Sequence, residues 1–373
     1  MTAALAVVVV DDSAVQRRFL RAAIDASEDF EVVGEARNGK EAVALVQRLR
    51  PSAVVMDLDL PVMGGVEAIE QIMAGCATPI LVYSAFVAGV DSANALEALA
   101  AGAVDVLAKP GPQDTASLEE YAEQLRCRLR MVARIRVITH PRGRLRTSAG
   151  LVGEASSLTG VGRRPLRTAP VPDDAPSREG VQLVVIGAST GGPHAVLSVL
   201  SALPADLAQA VLVVQHMAEG FLDGLAAWLD QMVALPVSVG ASGRRLLPGT
   251  VTLAPSGGNL LVQDDRLRVL VTPPDPGQFH VPGIDQTMRS VAAALGPDAI
   301  GVLLTGMGRD GAAGLLEMRG RGAVTLGQDE ATCAVYGMPA EAAALGAIDR
   351  VLPIDDIGPT LCELLRAPVR ALP

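Results

Sequence analysis

The feature that most limits the fold is a short β-branched run closed by polar residues. It appears first at Val7–Val10, which runs directly into Asp11-Asp12. Ala53–Met56 stops at Asp57, Ile80–Tyr83 at Ser84, and Val104–Leu107 just before Lys109-Pro110. Continuous apolar runs of this length are strands buried on both faces, and such strands belong to parallel sheets covered by helices. Glu31–Gly34 is a weaker run, expected nearer a sheet edge. Ser13 and Gln16 form a capping pattern for a first helix whose buried face is expected at Val15, Phe19, Ala22 and Ala26. Asn38 and Glu41 open a second, with Ala42, Leu45, Val46 and Leu49 as its stripe and Pro51 as its stop. Ser117 and Glu120 open the last. Repeated β-α units within residues 1–139 predict a doubly wound, flavodoxin-like parallel sheet.

In such a sheet ligands bind beyond the carboxyl ends of the strands. The polar residues there are Asp11 and Asp12, Asp57, Ser84 and Lys109. Clustered carboxylates suit a hard cation such as Mg²⁺, which takes one or two of them and completes its octahedron with water and phosphate oxygens. Lys109 is placed to balance an incoming phosphoryl group and Ser84 to hydrogen-bond it. Asp57 is the natural nucleophile for an aspartyl phosphate. One Asp at a strand end is ordinarily a turn residue; suitable types at so many successive ends are hard to assign to turns. The spacing of Asp11-Asp12, Asp57, Ser84 and Lys109-Pro110 resembles the receiver domain of two-component response regulators. The resemblance implies a histidine kinase as phosphodonor to Asp57. Two positions depart from it: Gly64-Gly65 stands where Asp-Gly is common, and Val106 where many receivers carry an aromatic residue.

Across residues 140–180 periodicity gives way to Pro, Gly, Ser, Thr and Ala, the composition of a flexible linker. Arginines gather before and within it, from Arg126, Arg128 and Arg130 to Arg142, Arg144 and Arg146. They read as a solvated helix face and charged tether, or alternatively as a docking segment for an acidic partner. The formal net charge of −10 and the lack of aromatics among these arginines argue against nucleic acid as a partner.

Strand–helix alternation resumes over residues 181–373. Leu183–Ile186, Val211–Val214, Val251–Leu253 and Ile300–Leu304 are buried-strand candidates, and Pro193–Ala202, Phe221–Met232, Ile284–Leu295 and Gly311–Arg321 are helical patterns. The expectation is a second doubly wound, mostly parallel α/β domain. Its first strand enters GASTGGP, Gly187 to Pro193, a small-residue turn that sets Ser189 near a helix N-terminus favouring negative charge. The glycines do not fit a dinucleotide or phosphate loop. His216 follows the next strand, and Asp310 lies in LTGMGRDG after another. A serine needs a base to accept its proton, and the base needs a carboxylate to fix its tautomer. Ser189, His216 and Asp310 supply these roles. Spacing alone leaves His194 and His280 open as alternative bases.

IGASTGGP, VVQHM, LTGMGRDGA and QDEATCAVYGMPAEA resemble the catalytic domain of protein-glutamate methylesterases. The resemblance implies Ser189 as nucleophile, His216 as base, Asp310 as orienting carboxylate and the Met307 N–H in the oxyanion hole. It implies hydrolysis of glutamate γ-methyl esters on chemoreceptors with release of methanol, and deamidation of receptor glutamines. Mg²⁺ is expected at Asp11, Asp12 and Asp57, and no cofactor at the esterase site. Cys76, Cys127, Cys333 and Cys362 show no metal spacing, and no apolar run reaches the roughly 20 residues that span a bilayer. The expected setting is cytoplasmic, acting on membrane receptors without being embedded. A non-catalytic regulator whose second domain binds a partner is the alternative.

Overall fold

The computed structural model describes residues 4–84, 94–95, 97–99, 101–110, 118–133, 135, 181–217, 221–278 and 280–366. Ser117 and the connector 140–180 lie outside the described residues.

The first unit is built on β1 (Leu5–Val10), β2 (Phe30–Ala36), β3 (Ala53–Met56), β4 (Ile80–Ser84) and β5 (Asp105–Ala108). They form one parallel sheet in the order β2-β1-β3-β4-β5, the flavodoxin-like order. The weakest run is an edge strand, as its mixed composition requires. Helices α1 (Ala14–Asp25), α2 (Gly39–Leu49), α3 (Gly65–Gly75) and α4 (Leu118–Val132) cover it. Ser13 Oγ accepts from Gln16 N at 3.4 Å and Asn38 Oδ1 from Glu41 N at 2.9 Å, so both caps form. At Gly65 an added Cβ would lie 2.3 Å from the Asp57 carbonyl oxygen, whereas at Gly64 it would meet nothing. The Gly64 departure is therefore harmless, and the position that needs glycine has it.

Two expectations are corrected. The buried face of α1 is Leu20, Ala23 and Ile24; Val15 is 75% exposed, and Ala22 and Ala26 also face out. With Phe19 and Leu20 adjacent, apolar spacing left the phase ambiguous, and packing on β1 and α4 selected it. The arginines of α4 are not a solvated face either. Arg126 is buried, donating to Ala23 O at 2.9 Å and pairing with Glu119 and Glu123, while Arg128 pairs with Asp105 and Arg130 with Asp29. They tie the helix to its own domain.

The second unit runs β6 (Leu183–Ala188), α5 (Gly192–Ser201), β7 (Ala210–Gln215), α6 (Phe221–Met232), β8 (Val237–Val239), β9 (Val251–Leu253), β10 (Asn259–Val262), β11 (Val269–Thr272), α7 (Ile284–Leu295), β12 (Ala299–Leu303), α8 (Ala312–Gly320), β13 (Val324–Gln328), α9 (Met338–Ala344), β14 (Arg350–Leu352) and α10 (Ile354–Arg366). Seven strands form a parallel sheet, β14-β13-β12-β6-β7-β9-β8, and β10 and β11 form a separate antiparallel pair. Strand order reverses between β6 and β12. That is the topological switch point at which such sheets open a crevice. Both central strands are fully buried. Among the described residues no helix is long and apolar enough to cross a membrane.

Candidate functional site

At the switch point of the first sheet, Asp11 follows β1 and Asp57 follows β3. Both are buried while Asp12 is exposed, and their carboxylate oxygens come within 4.8 Å of one another. Lys109 Nζ bonds Asp11 Oδ2 and Asp57 Oδ2, each at 2.8 Å. Burial pushes the Asp57 carboxyl up, as does Asp11 beside it, against the pull of Lys109. Burial opposes the Lys109 charge as well, but hydrogen bonds to Asp11 and Asp57 outweigh it and hold that pKa above its ordinary value. Hard oxygen donors, crowded and only partly neutralised, fit a divalent cation such as Mg²⁺. Ser84 is buried at the end of β4, on the same edge.

In the second unit Ser189 follows β6. Its N–H donates to Thr305 O at 3.0 Å, and its own carbonyl accepts from Gly192 N and from Gln215 Nε2, each at 2.8 Å. The left-handed residue of this turn is Gly191, at φ 75°, rather than the serine. Small residues are needed here for contact as well as conformation: a Cβ on Gly192 would sit 2.1 Å from Gln215 Oε1. Sequence reading missed Gln215. It is buried, ends β7, and also donates to His216 O at 2.9 Å, so one amide ties the backbone of Ser189 to that of His216. A fully apolar strand ending in a Gln was the available signal.

His216 Nε2 and Asp310 Oδ2 are 2.8 Å apart. Asp310 Oδ2 also accepts from Ile284 N at 2.9 Å, and Oδ1 from Asp285 N at 2.9 Å and Gly311 N at 3.0 Å. Burial works against the Asp310 carboxylate, but the His216 bond and these backbone donors outweigh it and keep its pKa below the usual range. An ionised Asp310 fixes the proton of the imidazole on Nε2. The other nitrogen, Nδ1, is buried without a hydrogen-bond partner among the described residues, so Ser189 Oγ does not bond it in this arrangement. His194 sits on α5 against Trp228, at 6.4 Å between ring centroids, outside this arrangement. His280 stacks on His216 at 4.5 Å with planes 10° apart. Met307 is 42% exposed on the loop after β12, and among the described residues no backbone carbonyl accepts from its N–H.

A cavity of about 720 Å³ joins Ser189, Thr190, His216, His280 and Met307 to residues of the first unit. Lys109 and Pro110 line it after β5, with Tyr121, Cys127 and Arg128 from α4. Cys127 Sγ lies 3.7 Å from Met307 Sδ. The first unit thus lies across the mouth of the second unit's site.

Comparison with known proteins agrees with this division. The response regulator receiver domain family matches residues 7–120, and the CheB methylesterase family residues 184–361. A protein-glutamate methylesterase/protein-glutamine glutaminase of Paramagnetospirillum magneticum is 41% identical, covering 99% of this chain and 98% of its own. One from Anaeromyxobacter dehalogenans is 43% identical over 96% and 97%. The chain belongs to the protein-glutamate methylesterase/protein-glutamine glutaminase family. A relative from Caulobacter vibrioides is 38% identical over 98% of this chain and 99% of its own. The crystal structure of the Thermotoga maritima CheB methylesterase catalytic domain shares 34% identity, covering 50% of this chain and 99% of that one with a TM-score of 0.48. The two family matches place the receiver part before the methylesterase part in one chain.

Proposed function

We propose that this protein hydrolyses glutamate γ-methyl esters on chemoreceptors, releasing methanol, and deamidates receptor glutamines, under control of phosphorylation at Asp57. The observation that carries the chemistry is the His216–Asp310 pair, whose unpartnered Nδ1 shares a cavity with Ser189. Ser189 Oγ attacks the ester carbonyl while His216 Nδ1 takes its proton, and Asp310 stabilises the resulting imidazolium. The Met307 N–H faces the negative charge that develops on the carbonyl oxygen. The tetrahedral intermediate expels methoxide, which leaves as methanol with the proton returned by His216. Water then repeats the sequence on the acyl-serine and frees the glutamate carboxylate. An amide enters the same path with ammonia as the leaving group.

In this reading Asp11, Asp12 and Asp57 would hold Mg²⁺, and the ion would supply charge neutralisation for the incoming phosphoryl group. A histidine kinase is the donor, Ser84 and Lys109 receive the phosphoryl oxygens, and the setting is cytoplasmic. Residues 1–139 are the receiver, 140–180 the linker and 181–373 the esterase. Phosphorylation adds about −1.5 to −2 charges beside Lys109, whose neighbour Pro110 lines the esterase cavity. It thereby favours an arrangement with Ser189 uncovered.

The test is methanol release from methyl-labelled receptor membranes. A fragment from Val181 onward should exceed the unphosphorylated full-length chain by about 5- to 150-fold, the usual size of such coupling. An acyl phosphate with Mg²⁺ should raise the full chain and leave the fragment unchanged, and Ser189→Ala should abolish both. A well-folded fragment slower than the unphosphorylated whole would exclude control by occlusion.

A further inference from the structure

His216 is fastened at one atom, since its Nε2 bonds Asp310 and its Nδ1 has no partner. A single hydrogen bond leaves the ring free to tilt about that contact, and a tilt carries Nδ1 away from the nucleophile. The second restraint is His280, its ring parallel to within 10° at a centroid distance of 4.5 Å. His280 is held in turn by an amide lattice. Gln278 Nε2 donates to His280 O at 2.5 Å. The side chains of Gln278 and the buried Asn259 exchange hydrogen bonds at 2.8 and 2.9 Å, and Asn259 Oδ1 accepts from Gly283 N at 2.7 Å. The loop that carries His280 is thus pinned at both ends to the start of β10.

We propose that His280 is a positioning residue for the base: its uncharged ring lies flat on His216, holds the imidazole toward Ser189, and lends a π face to the positive charge that forms there during acyl transfer. This rests on the Ser189–His216–Asp310 reading above. A flat ring over a cation stabilises it, whereas a charged ring repels it. The titratable and charged groups facing His280 are His216 and Asp310 from its own domain and Arg128 from α4. His280 is solvent-exposed at the cavity rim, but partial desolvation there, then His216 and Arg128, hold its pKa below the ordinary value against the pull of Asp310. The neutral form of His280 is thus favoured, and its protonation would suppress the charge on its neighbour.

The experiment measures inactivation of the full-length chain by a fluorophosphonate as a function of pH, without phosphodonor. This reads Ser189 nucleophilicity directly and leaves receptor recognition out. His280→Ala should slow the maximal inactivation rate by about tenfold, the scale of one ring contact to a forming cation, with the half-saturating probe concentration unchanged. His280→Phe restores a flat face that cannot protonate. It should return to within about threefold of wild type and show one titrating group in its acid limb where wild type shows two. Any receiver titration is common to all variants and cancels in the comparison. A Phe variant no faster than Ala, or a wild-type acid limb with a single group, overturns the proposal. Failure of the triad itself is separate: Ser189→Ala would still be labelled.

Discussion

Asp310→Asn tests the electrostatic centre of the site with a change of one atom. The carboxylate accepts four hydrogen bonds, from His216 and Ile284 at Oδ2 and from Asp285 and Gly311 at Oδ1. An amide offers one oxygen and two donors. With its oxygen at the Oδ1 position it keeps Asp285 and Gly311, but its NH₂ opposes the Ile284 N–H and requires His216 Nε2 to accept. The ring proton then moves to Nδ1, the atom that should take the proton of Ser189. Flipped, the amide keeps the tautomer but sets its NH₂ against two backbone N–H groups. Each buried donor left unsatisfied costs about 1–3 kcal/mol, so the first orientation, with one such donor, prevails. It is the inactive one.

The same wrong-tautomer substitution in serine proteases lowers turnover about 10⁴-fold, roughly 5 kcal/mol of lost transition-state stabilisation. We expect a loss of that order here, with KM for methylated receptor unchanged because Asp310 lies behind His216. The assay is methanol release from methyl-labelled receptor membranes by the donor-treated full chain, with circular dichroism to show that the fold survives. Activity within about tenfold of wild type would refute the reasoning, since losing a correctly oriented general base alone should cost about 10²–10⁴-fold.

Substitutions at two further positions probe other contacts. Asp57→Asn should eliminate Mg²⁺-dependent labelling by an acyl phosphate while preserving the fold, because the amide oxygen can still accept from Leu58 N, now at 2.8 Å; persistent labelling would move the acceptor elsewhere. Gln215→Leu removes the donor to both Ser189 O and His216 O and should slow serine-probe labelling by about 10-fold at a cost of about 1–3 kcal/mol in stability. Gln215→Glu sets a carboxylate against the same carbonyls and should be worse in both; a Glu variant equal to wild type removes the donating role.

Most of the site was legible because its residues end strongly apolar strands. Asp11, Asp57 and Lys109 follow β1, β3 and β5, Ser84 ends β4, and Ser189 and His216 follow β6 and β7, where period and composition agree. Phe221–Met232 and Ile284–Leu295 were legible as helices for the same reason. What escaped lacks that agreement. Strand β13 ends in Gly327-Gln328, β14 has only three residues at a sheet edge, and α10 carries Pro359 within it. Each takes its form from packing on neighbours already in place. Spacing alone left His194, His216 and His280 open for a related reason, although the family resemblance pointed to His216. The choice depends on which ring reaches Asp310, and that is fixed by the β6/β12 reversal, a property of strand order that no local pattern carries.

The departure at Val106 shows how strand order also sets the path of control. Val106 is buried in β5 and lines the interdomain cavity, so an aromatic ring is not available there to swing between states. The aromatic side chains stand one layer away. Lys109 Nζ lies 5.2 Å from the Tyr83 ring centroid, Tyr83 is 6.4 Å from Tyr121, and the Tyr121 hydroxyl donates to Ala108 O. Ala108, Lys109, Pro110 and Tyr121 all line the cavity that holds Ser189. The ammonium bonded to Asp57 and the first-unit wall of the cavity that holds Ser189 therefore belong to the same few residues. A displacement of Lys109 toward a phosphoryl group need travel no further than its own peptide bonds to reach the esterase cavity. Long relays through a domain spread a coupling energy over many side chains; here Lys109, bonded to Asp57, and Pro110, on the cavity wall, share one strand end.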